Sequence, residues 1–91
     1  MTKQEWQLLK EIRKVKQLDT SEQYKYWYNK FENATFEEDK NLRERFQFLR
    51  ENNYIDVFWA DNIPYALTLT DKGNSYSYFK TKLKSLNPAI K

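Results

Sequence analysis

Lys40, Arg43, Gln47 and Arg50 recur at spacings of three and four residues. At about 100° per residue, a helix would gather them within an arc of roughly 80°. Such a stripe has a definite chemistry. Guanidinium and ammonium groups donate to phosphate oxygens or to the acceptor edge of guanine, and a glutamine amide can pair with adenine. The same stripe also fits a plain solvated face, in which Asp39 and Arg43 pair across one helical turn for about 0.3 to 0.5 kcal/mol. Its neighbours oppose anions: Glu37, Glu44 and Glu51 run beside it at seven-residue intervals, and Asp39 adds a further carboxylate.

Two other cationic groups can grip phosphate. Lys10, Arg13 and Lys14 fall on the polar side of a first predicted helix, and Lys80 and Lys84 on that of a last one. Solubilising charge opposite a core stripe explains them equally well.

Catalysis finds little to work with. The chain has no Cys and no His, so nucleophilic triads with a histidine base and neutral-pH imidazole acid-base chemistry are both excluded. The usual zinc ligands are missing too, and a lone Gly73 rules out a glycine-rich phosphate loop. We expect no enzyme, no metal site and no cofactor.

A chain of 91 residues has room for one core, so a single domain over residues 1–91 is expected. Three Trp, seven Tyr and six Phe supply large buried areas without disulfides. Apolar runs are only a few residues long, as in Tyr65-Ala66-Leu67, and the polar start Met1-Thr2-Lys3-Gln4-Glu5 has no signal-peptide core. That predicts a cytoplasmic protein with no membrane association. The net charge of +3 is unevenly spread. Residues 1–20 hold five basic and three acidic side chains, residues 21–70 six and nine, and residues 71–91 five and one.

The elements that would position these groups follow from periodicity. Leu8, Leu9, Ile12 and Val15, flanked by Trp6, predict a helix over residues 4–18. Thr20 with Gln23 forms a capping-box pattern ahead of a short aromatic helix whose face is Tyr24, Trp27, Tyr28 and Phe31. Thr35 with Glu38 starts a third helix over about residues 36–52, with Leu42, Phe46 and Leu49 inward. Asn52-Asn53 is a stop signal, because asparagine tolerates the left-handed backbone. Ile55, Val57 and Trp59 alternate, as do Tyr65, Leu67 and Leu69, which predicts two strands joined by the turn Ala60-Asp61-Asn62-Ile63-Pro64. Thr70 caps a last helix with Tyr76, Phe79, Leu83 and Leu86 on its apolar stripe, ended by Asn87-Pro88.

The fold class expected is therefore α+β and mostly helical: three helices, a β-hairpin and a C-terminal helix. The stretch Phe48-Leu49-Arg50-Glu51-Asn52-Asn53-Tyr54-Ile55, followed by Tyr65-Ala66-Leu67-Thr68-Leu69-Thr70-Asp71-Lys72-Gly73, resembles the recognition-helix end, wing and strand-to-helix junction of winged helix-turn-helix proteins. It also resembles the small YjcQ-type proteins of Gram-positive bacteria and their phages. The likeness covers about residues 36–80, and its most telling piece is the junction of Leu69, Thr70 and Gly73. It implies a winged helix whose third helix enters the major groove of double-stranded DNA in transcriptional control.

In that reading Lys40, Arg43, Gln47 and Arg50 face the groove, while Lys10, Lys14, Lys80 and Lys84 help to hold the backbone. The predicted wing departs from the pattern, since residues 60–64 carry Asp61 and no Lys or Arg. This keeps open an alternative, a winged-helix module that binds another protein. Tyr26, Phe36, Phe48, Phe58 and Tyr78 fall off the main stripes, which suits a partner surface or a homodimer.

Overall fold

The computed structural model describes residues 1–77. Among them lie three full helices, α1 (Lys3–Val15), α2 (Thr20–Glu32) and α3 (Phe36–Glu51), and two strands, β1 (Ile55–Ala60) and β2 (Ile63–Leu69). Residues 71–77 are helical and are labelled α4. The protein is thus α+β, mostly helical, with an antiparallel two-stranded hairpin, a layout consistent with a winged helix. Phe79, Leu83, Leu86 and the predicted end of the last helix lie outside the described residues.

Helices α1 and α3 start where side chains satisfy the first free N–H groups. Thr2 and Glu5 form a reciprocal capping box on α1, and Thr35 and Glu38 form another on α3. The expected box of Thr20 and Gln23 is absent. Asp19 occupies the cap position without a side-chain bond, and the Gln23 amide instead donates to the carbonyls of Lys16 and Leu18 at 3.2 and 2.7 Å. Gln23 therefore serves the C-terminal end of α1, which stops at Val15 and leaves Leu18 exposed.

The end of α3 is tightly defined. Tyr54 N–H donates to the Leu49 carbonyl at 2.8 Å and Asn53 N–H to that of Arg50 at 3.1 Å. With Asn53 at φ 63°, this is a Schellman ending, and buried Tyr54 and Leu49 supply the apolar contact that accompanies it.

In the hairpin, Asp61 and Asn62 alone form the turn, at φ 53° and 64°. Positive φ at both central residues is the turn geometry that matches the strands' right-handed twist. Ile63 and Pro64, expected in the turn, belong to β2 and are buried. Phe58 opposes Ala66 while Trp59 opposes Pro64, so Tyr65 bulges out of the ladder. Pro64 has no N–H for the ladder, and a bulge is where a strand tolerates that loss. The bulge inverts the alternation expected for Tyr65, which is 55% exposed.

The core joins Leu8, Leu9, Ile12 and Val15 of α1, Trp27 and Phe31 of α2, and Leu42, Phe46 and Leu49 of α3 to Ile55, Val57, Ile63 and Leu67 of the hairpin. Phe46 is its centre, with Trp27 edge-on at 5.3 Å and Phe31 stacked at 6.1 Å. Tyr24 is only half-buried and Tyr28 is exposed, so the outer half of the α2 aromatic face stays at the surface.

Thr70 joins hairpin to α4. Its hydroxyl donates to the Asn53 carbonyl at 2.6 Å and accepts from Gly73 N–H at 3.0 Å. A Cβ on Gly73 would lie 1.8 Å from the Tyr54 carbonyl oxygen, so only glycine allows α4 this close to the chain leaving α3.

Candidate nucleic-acid interface

The four residues of the cationic stripe share a face of α3 but differ in what they touch. Lys40, Gln47 and Arg50 are exposed, and Arg43 is half-buried. Arg50 makes no side-chain hydrogen bond or ion pair with the described residues. The Gln47 amide donates to Glu51 Oε2 at 2.9 Å, a charge-assisted contact within one helical turn.

Arg43 is held by the protein itself. Its Nε donates to Asp39 Oδ1 at 2.6 Å, the one-turn pair foreseen from spacing. Its Nη1 donates to the Asn62 carbonyl at 2.8 Å, a bond across 19 positions that no local pattern announces. The guanidinium also lies 4.4 Å from the centre of the Phe31 ring and 5.6 Å from that of Trp59. A planar cation packed against two aromatic rings, with each of its three nitrogens donating a hydrogen bond, is a fixed strut. Arg43 therefore ties α3 to the hairpin turn.

Other charges sit around this face. Glu37, Glu44 and Glu51 are exposed, and the two-residue turn carries Asp61. Lys72, in the first turn of α4, was not singled out from sequence. Its Nζ donates to the Asn52 carbonyl at 2.9 Å and lies 4.4 Å from the Tyr54 ring centre, which brings a cation to the C-terminal end of α3. Such placement requires α4 to fold back on the Schellman ending, information that spacing along the chain does not hold.

Lys10 and Lys14 border a shallow depression on α1 together with Glu11 and Tyr26. Lys10 lies 5.0 Å from the Trp6 ring centre, while Lys14 is exposed. Glu11 accepts from Lys30 Nζ at 2.9 Å and from the Tyr26 hydroxyl, pinning α1 to α2. Burial, with the hydrogen bond and charge of Glu11 adding to it, pushes Tyr26 up to about 12. Lys80 and Lys84 lie outside the described residues.

Among the described residues no cluster of three or more acidic side chains could hold a metal ion, and no helix is long and apolar enough to cross a membrane. No family model matches the sequence, and no curated protein or solved structure matches it.

Proposed function

We propose that this chain is a winged-helix protein that binds double-stranded DNA through α3, and that it acts in transcriptional control in a bacterium or phage. The resemblance described above supplies the biological setting. The observation that carries the binding reading is geometric: Lys40, Gln47 and Arg50 stand in solvent along one side of α3, beside the hairpin, while Leu42, Phe46 and Leu49 hold the other side in the core. A helix presented in this way can enter the major groove, with arginine and glutamine for base edges and lysine for phosphate. The first turn of α3 is acidic, at Glu37, Glu38 and Asp39, so contact would run through its middle and C-terminal half. Fluorescence anisotropy with mixed duplex DNA across a salt series tests this. Binding should weaken steeply with salt and fall in the paired variant Lys40→Ala with Arg50→Ala; an absence of binding at about 50 mM salt removes the reading.

A second reading is a winged-helix module that binds another protein. It is favoured by Phe36 and Phe58, which are 86% and 70% exposed. Large apolar groups left in water on a small domain suit a partner surface. A stoichiometric host partner, lost on Phe58→Ser and indifferent to Arg50→Ala, would decide for it.

A further inference from the structure

Between α3 and β1 the surface falls into a groove of about 450 Å³. Arg43, Phe46, Gln47 and Arg50 line it from the helix, Val57 and Trp59 from the strand, and Glu51 also borders it. The size is that of sites for small organic molecules, and so is the mixture of an apolar floor with a few polar groups. Phe46 and Val57 are buried beneath it, whereas Trp59 is 38% exposed and is the most accessible of the three tryptophans. Its polar groups are unequal. Arg43 is held by Asp39 and Asn62 and forms a fixed wall. Glu51 already accepts from Gln47. Arg50 brings a guanidinium that no other described residue engages, whose paired N–H groups match the two oxygens of a carboxylate.

We propose that this groove binds a small aromatic carboxylate, its ring against Trp59 and Val57 and its carboxylate on Arg50. Arg43 is already neutralised by Asp39, so the preference for an anion rests on Arg50, whose charge meets no carboxylate among the described residues. The indole edge and the apolar floor favour a flat ring over a sugar or a bare phosphate. Gln47 and Arg50 also belong to the face offered to DNA, so the bound molecule competes with duplex; that consequence rests on the reading of α3 given above, and the site itself does not.

The test is a heteronuclear NMR titration of the full chain with naphthoate, paired with uncharged naphthamide of the same shape. Naphthoate should give saturating shifts of the Trp59 indole N–H and the Gln47 side-chain amide, with the Trp6 indole unmoved. Both Arg50→Gln and the change to naphthamide should weaken binding about five-fold, the scale of one exposed charge pair. Shifts that do not saturate by about 10 mM, shifts centred away from Trp59, or equal binding of naphthoate and naphthamide would overturn the site. No DNA is present, so this result stands apart from the duplex anisotropy: a chain that fails to bind duplex is still expected to bind naphthoate.

Discussion

Arg43 Nη1 donates to the carbonyl oxygen of Asn62 at 2.8 Å, joining the middle of α3 to the tip of the hairpin. The same guanidinium closes on Asp39 and packs against both Phe31 and Trp59. One of the four residues that the sequence offers as groove contacts is thus also a structural tie, and the two roles separate in measurement.

Arg43→Ala should lower stability by about 1 to 2 kcal/mol, the scale of a lost hydrogen bond to a charged group on a partly exposed side chain. Arg50→Ala should stay within about 0.5 kcal/mol of wild type, as surface substitutions do. Urea denaturation of both variants checks the contrast, and it makes Arg50 the cleaner probe of binding.

Gly73→Ala places two effects in opposition. Alanine is a better helix former than glycine by about 1 kcal/mol, yet its Cβ would sit 1.8 Å from the Tyr54 carbonyl oxygen. Overlap of that size forces backbone movement, and crowding in a packed site typically destabilises by about 1 to 3 kcal/mol or more. The net change should be destabilising and larger than that of Thr70→Ala, which loses a cap of about 1 kcal/mol. Thermal unfolding of the pair gives the order.

Tyr26 should titrate late. Its phenol is pushed up to about 12 from 10.0 by burial and by Glu11. The neutral form is favoured in the folded chain, so the stabilisation is fully present below pH 10 and is lost as pH rises through about 12. Tyrosinate absorbance should show a late component that shrinks in Tyr26→Phe, leaving the contribution of Tyr54, which burial also raises, and part of that component should move to lower pH in Glu11→Gln.

In duplex binding, each phosphate contact removed should reduce the slope of log affinity against log salt by about 0.9. Lys40→Ala is expected to do so with little dependence on DNA sequence. Arg50→Ala should also relax the preference for one base if its fork reads guanine. Salt-series anisotropy on two unrelated duplexes checks both.

Much of the fold was legible because it rests on local rules. The α3 bounds, its Thr35 cap, the Asn53 ending and the Thr70 to Gly73 junction all follow from residue type at fixed offsets, and the structure has each of them. The hairpin was legible as a pair of strands but not in detail. Strict alternation placed Tyr65 inward, whereas the bulge beside Pro64 sends it out. Likewise, capping logic assigned Gln23 to its own helix, while the amide found freer carbonyls at the end of α1.

For the candidate interface, helical arithmetic placed Lys40, Arg43, Gln47 and Arg50 on one side and foresaw the bond of Arg43 to Asp39. It could not show that the turn would rise to meet Arg43, or that Lys72 would arrive at the end of α3. Both depend on contacts between residues about 20 apart in sequence, which are set by packing rather than by periodicity.

The tie between α3 and the hairpin uses a peptide carbonyl at position 62, not a side chain. What it asks of the tip is a backbone path through two left-handed residues, which glycine would follow at least as readily as Asp61 and Asn62. The tip is therefore free to drift in letters while keeping its shape. A distant cousin could preserve the whole brace with no identical residue there, provided an arginine still stands one turn after an acidic neighbour on the facing helix.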